Sequence, residues 1–110
     1  MYTAQSFQNK TNQYLVNQIN ISTPQQLIMK VYDFAILHCQ KNDMLKTNEA
    51  LQVLINSLNF DEPSAKEISS GLLKLYQYCQ DQMRKQKNQI VIKILTDLRD
   101  TWRESMKNMR

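Results

Sequence analysis

Apolar residues recur at helical spacing in four stretches of the chain, and the first of these begins abruptly. Up to Thr23 the sequence is Gln/Asn-rich with apolar residues scattered along it, as in QYLVNQIN, whereas from Pro24 on, in PQQLIMKVYDFAI, it is dense with large side chains. Thr23 can cap a helix, Pro24 suits its first position, and Gln26 completes a T-x-x-Q capping box that satisfies orphan amide donors. A helix is predicted over about 24–41. Leu27, Val31, Phe34 and His38 form one stripe on it, and Ile28, Tyr32, Ala35 and Cys39 form a second beside the first. With Met29 and Ile36 added, the apolar arc is wider than a single bundle seam uses, so something further is expected to cover it.

Asn42 and Asp43 mark a break. Met44, Leu51, Leu54, Ile55 and Leu58 then share one face of a second helix over about 44–59, with Val53 and Phe60 pointing away from it. FDEPSAKE restarts the chain: Pro63 discourages continuation and Ser64 with Glu67 reads as a second capping box, which predicts a third helix over about 64–86. Its seam is Ala65, Ile68, Leu72, Leu75, Cys79 and Met83. Gly71 interrupts that helix at a cost of roughly 1 kcal/mol relative to Ala, and close packing against a neighbouring backbone is one reason to expect it there. In the last stretch, NQIVIKILTDLRDTWRESM, the β-branched opening suggests a strand, but Val91, Leu95, Leu98, Trp102, Ser105 and Met109 keep helical spacing for five turns. Period overrules propensity, and a helix is predicted over about 89–108. Its join to the third helix at KQKNQ carries only Asn88 as a stop signal; a turn there is favoured because an antiparallel bundle buries every stripe.

Composition agrees with an all-α, antiparallel up-down four-helix bundle. Gly occurs once and Pro twice in 110 residues, so the punctuation that many short strands need is missing. A chain of this length suits one domain, divided into a bundle over 23–110 and an N-terminal segment, 1–22, that either frays or packs on the bundle as a lid. Apolar runs fall far short of the ~20 residues of a membrane span, and no signal-peptide pattern is visible, so no membrane insertion is expected and the cytosol is the default.

The formal charge of +4 resides in residues 84–110, where eight Lys/Arg face only Asp97, Asp100 and Glu104. The acids interleave with the bases at helical spacings, which suits a solvated face better than a phosphate-tracking stripe, and no nucleic-acid partner is expected. Cys39 and Cys79 lie outside any metal-knot spacing and read as small core hydrophobes. With one His, one Gly and no Gly-rich loop, the chain lacks the parts of a catalytic site, and no enzyme activity, metal or cofactor is expected. One motif is tempting: His38-Cys39-Gln40-Lys41 has the H-x-x-K spacing of histidine-phosphotransfer domains, in which the His is the nucleophile. Such domains usually place Gly after the Lys, where Asn42 stands here, and His38 shares a stripe with Leu27, Val31 and Phe34, so a packed histidine is the better reading.

The ordered set STPQQLIMKVYDFAI (22–36), NSLNF (56–60), LLKLYQYC (72–79) and LTDLRDTW (95–102) resembles the signature segments of the flagellin-specific flagellar secretion chaperones. The resemblance covers about residues 14–106. It implies a four-helix bundle in the bacterial cytoplasm that binds the C-terminal segment of flagellin, prevents premature polymerisation and docks on the export gate of the flagellar type III secretion apparatus. A histidine-phosphotransfer bundle and an unrelated helical adaptor are the alternatives, and a second copy of the chain is a candidate partner. Family members carry Tyr, Asn and a β-branched residue ahead of the S/T-Pro helix start, matched here by Tyr14, Asn17 and Ile19. The resemblance thereby implies a lid of Tyr14, Leu15, Ile19 and Ile21 that covers the cargo groove and moves aside for flagellin. For the groove itself the candidates are Ile28, Met29, Tyr32 and Ile36, with Tyr78, Ile92 and Trp102; large apolar and aromatic residues of this kind anchor interfaces. Two departures stand out. The first-to-second and third-to-fourth connections look several residues shorter than the family pattern, and Phe7 and Lys10 stand where some relatives carry the Ile and Tyr used in gate docking.

Overall fold

A computed structural model describes residues 24–107 of the chain. Tyr14, Leu15, Ile19, Ile21, the Thr23 cap, Phe7, Lys10 and Met109 lie outside the described residues. Four helices follow one another: α1 (Pro24–Gln40), α2 (Met44–Asn56), α3 (Pro63–Arg84) and α4 (Asn88–Lys107). Each packs on its neighbour in sequence and α4 returns to α1, which closes a ring with α1 and α3 on one diagonal and α2 and α4 on the other. The α3–α4 interface is the least extensive of the four. No described helix is long and apolar enough to cross a membrane.

The two turns at one end of the bundle share one solution. After α1, Asn42 adopts φ 59°, its N–H bonds to the Cys39 carbonyl at 3.0 Å and the Asp43 N–H to the His38 carbonyl at 2.8 Å. This pair of bonds is a Schellman motif, which satisfies carbonyls left over at the helix end. After α3, Gln86 takes φ 60°, with Gln86 N–H on Met83 and Lys87 N–H on Gln82 at 3.0 and 2.9 Å. Asp43 ends one helix and starts the next, since its Oδ1 accepts the Lys46 N–H at 3.1 Å as the N-cap of α2. Asn88 braces the turns against each other: its Nδ2 donates to Asn42 Oδ1 at 2.7 Å.

At the opposite end, two boundaries differ from expectation. The second helix stops at Asn56 rather than 59, and the third begins at Pro63, one residue before the predicted start, with Glu62 as N-cap and no side-chain capping bond. Pro63 takes the first helical position that its fixed φ favours, so Ser64 falls inside the helix and its capping box does not form. The α2–α3 loop is held instead by Asn59, whose Oδ1 accepts the Asp61 N–H at 2.9 Å and whose carbonyl accepts the Ser69 hydroxyl at 2.7 Å.

The core is built from Val31, Tyr32, Ala35, Ile36 and Cys39 of α1, Ala50, Leu51 and Leu54 of α2, Tyr76, Cys79 and Met83 of α3, and Val91 and Leu95 of α4. On α1 the Tyr32–Ala35–Cys39 stripe is therefore the centre, while Leu27, Phe34 and His38 are half-buried. The wide arc of α1 is consumed largely by its two neighbours, α2 on one side and α4 on the other. Several expectations need correction. Met44 and Ile68, read as core positions, are exposed, and Val53, read as outward, is half-buried against the core. Gly71 makes no close approach: a Cβ there would meet nothing within 4 Å. Buried amides were also not foreseen. Gln80 is buried between α2 and α3, donating to the Asn48 carbonyl at 3.2 Å and to Gln52 Oε1 at 3.3 Å.

Candidate functional site

At the end of the bundle where α1 begins and α4 finishes, the helices leave an apolar pocket of about 270 Å³. Ile28 comes from the first turns of α1, Leu54 and Leu58 from the end of α2 and its loop, Ile68, Leu72 and Tyr76 from α3, and Trp102 from α4. Ala65, Ser57, Asn59 and Ser69 complete the wall. Ile68 sits on the α3 seam yet remains 63 % exposed, because α3 packs less extensively on α4 than the other neighbours do on each other.

A polar chain runs beneath. Trp102 Nε1 donates to the Tyr32 hydroxyl at 3.1 Å, and the Tyr32 and Tyr76 hydroxyls are 2.6 Å apart, with ring centroids separated by 6.4 Å and planes tilted by 56°. Three helices are thereby joined across the diagonal of the ring. Burial raises the ionisation of both phenols above the ordinary tyrosine value, so at neutral pH both keep the proton these bonds need. The partnered hydroxyls satisfy the requirement that buried polar groups be hydrogen-bonded.

The groups capable of chemistry lie elsewhere. Burial pushes the Cys39 thiol up to about 11 and Cys79 to about 12, which keeps both as thiols at neutral pH; Cys39 Sγ lies 3.4 Å from Met83 Sδ in the core. His38 packs its ring on Phe34 with centroids 4.3 Å apart. Its Nδ1 is buried without a hydrogen-bond partner, 3.8 Å from Asp43 Oδ2. Burial lowers its proton affinity first, helped by Lys46 and opposed by Asp43, so the imidazole is biased towards neutrality. On α4, Lys93 pairs with Asp97 at 3.1 Å and Arg103 with Asp100 at 3.8 Å, as their helical spacing suggested, while Arg99 reaches Asp100 at 3.4 Å and crosses to Asp33 of α1 at 3.0 Å.

Of the groove candidates, the structure brings Ile28 and Trp102 together at the pocket and sets Tyr32 directly under it. Tyr32 and Ile36 are core residues, Met29 and Ile92 are half-buried against the core, and Tyr78 is exposed away from the pocket lining. Leu54, Leu58, Ile68, Leu72 and Tyr76 were missed as lining residues. A regular seam signals only that a face is apolar, and a residue such as Ile68 reads alike whether a neighbouring helix covers it or not.

The family model described as flagellar protein FliS matches residues 7–109. The chain belongs to the FliS family. The match covers every described helix, so the four-helix bundle is the fold of this FliS-family flagellar chaperone. Comparison with curated proteins and with solved structures returns no match.

Proposed function

We propose that this FliS-family chain is a bacterial cytoplasmic export chaperone that binds the disordered C-terminal segment of flagellin, prevents its premature polymerisation and hands it to a component of the flagellar export gate. The observation that carries the reading is the open apolar pocket, with Ile28, Ile68, Leu72 and Trp102 exposed enough to accept apolar side chains from another polypeptide. A segment that folds on binding typically buries ~1,000–3,000 Å², so the pocket is an anchor point within a longer track. Met29, Tyr78 and Ile92 are candidates for that track, and Tyr32 and Ile36 support it from below.

Residues 1–22 form the lid in this reading, with Tyr14, Leu15, Ile19 and Ile21 as its apolar contacts. Its support is positional: the pocket opens at the end where α1 starts, and Ile28 lies about one turn from Pro24. A lid that occupies the site part of the time reduces the intrinsic affinity to that value multiplied by the open fraction, which excludes weak partners more than a long correct one. Titration calorimetry of the full chain and of a variant lacking residues 1–20, each against a flagellin C-terminal peptide, is the test. Binding by the full chain, equal or tighter without the segment, is expected. No binding refutes the carrier reading, and a large loss on deletion refutes the lid.

A further inference from the structure

The other end of the bundle carries a second surface, which shares no lining residue with the apolar pocket. Asn42, Met44, Met83, Arg84, Gln86 and Asn88 enclose an open depression of about 610 Å³ between the two Schellman turns. Met44 in its lining is 43 % exposed, and the next residue on α2, Leu45, is 61 % exposed. Arg84 lines the depression, and Lys41 and Lys87 adjoin its lining residues in sequence. Lys41, Arg84 and Lys87 are exposed and form no ion pair with any described residue, while Lys85 is paired with Asp81 at 3.2 Å. The nearest remaining acid, Asp43, already caps α2 through one oxygen and has the other beside His38.

We infer that this turn end is a docking surface for an acidic, amphipathic segment of a partner protein, which sets an apolar side chain against Met44 and Leu45 and its carboxylates against Arg84, Lys87 and Lys41. Three features favour that occupant. The unpaired charge at this end, on Lys41, Arg84 and Lys87, is positive and complementary to an acidic chain, which steers association and selects against basic partners. Exposed Met44 offers a polarizable apolar seat that adapts to different side chains. The concave wall of three side-chain amides supplies directional donors and acceptors, which a protein segment uses and a flat lipid surface does not. The surface is also preorganised, because the Asn88–Asn42 bond at 2.7 Å ties the two turns together, so little ordering cost remains on this side.

The test is amide chemical-shift mapping of the isotope-labelled full chain with a short synthetic amphipathic peptide of Glu and Leu, and with its counterpart carrying Lys for every Glu. Saturable shifts concentrated at 41–46 and 83–88 with the Glu peptide alone are expected. The double variant Arg84→Glu, Lys87→Glu weakens that binding at least about tenfold, as does raised salt, whereas Ile68→Ala at the opposite pocket leaves it unchanged. The milder Arg84→Gln gives a partial loss in the same direction. The inference is overturned if the Lys peptide binds equally, if the shifts cluster around Trp102, if no saturable shift appears by about 1 mM peptide, or if anionic phosphatidylglycerol vesicles bind with equal strength and the same dependence on Arg84 and Lys87. None of these outcomes depends on whether flagellin is the cargo.

Discussion

Replacing Ile68 with Ala separates a residue kept for a partner from one kept for the core. Fully burying an Ile side chain is worth about 1.5–3 kcal/mol relative to leaving it exposed. Ile68 is 63 % exposed, so only roughly a third of that gain is realised in the free protein. The substitution should therefore lower unfolding stability by no more than about 0.5–1 kcal/mol, the buried third of the transfer term. If cargo covers the remaining surface, the same change removes about 1–2 kcal/mol from binding, a loss of roughly 5- to 30-fold in affinity. Leu51 is the control: it is fully buried, and Leu51→Ala in such a site costs about 2–5 kcal/mol of stability. Urea denaturation gives the first quantity, and calorimetry with a flagellin C-terminal peptide gives the second. A stability loss above about 2 kcal/mol, in the range of buried large-to-small changes, means that Ile68 is core in solution. Binding unchanged within twofold means that the pocket does not meet cargo.

Gly71→Ala should raise stability by about 1 kcal/mol, since the position is mid-helix with open space around it, and a raised urea midpoint checks this. Gln86→Gly should also stabilise, by about 0.5–1 kcal/mol: the left-handed φ of 60° costs a side-chain-bearing residue about 1–2 kcal/mol, and the greater freedom of Gly in the unfolded chain offsets part of that. His38 makes stability depend on pH. Its folded proton affinity lies below the unfolded value of about 6.5, so the unfolded state binds more protons in the window between the two. Its contribution is full above about pH 6.5 and is lost as pH falls through the folded value. Melting temperature should thus drop on acidification in the wild type and less so in His38→Gln, and parallel profiles for the two would refute this role.

Four helices and their order were legible because each stripe keeps its period over several turns, and even the β-branched opening of α4 yielded to Val91, Leu95 and Trp102. The break at Asn42–Asp43 was legible for a chemical reason: Asn tolerates a left-handed φ and Asp caps. Gln86 bears no such mark, which is why KQKNQ was the weakest boundary. The Ser64 box misled because two start signals overlapped and proline won. The pocket was half legible. Ile28 and Trp102 declared themselves by size, but Ile68 and Leu72 looked like ordinary seam residues, since openness depends on how far two helices diverge. The burial of Gln80 was not legible because it rests on partners, Asn48 and Gln52, that only the fold supplies.

The linkage of Trp102, Tyr32 and Tyr76 bears on how the bundle can respond to an empty site. A cavity lined only by aliphatic groups invites its walls to collapse inward, and the freed volume is recovered at little cost. Here inward sliding of α3 or α4 would have to break the buried 2.6 Å bond between the tyrosines or the part-buried 3.1 Å bond from Trp102. The three aromatic residues work as a spacer of fixed gauge, which holds the berth open whether or not anything fills it.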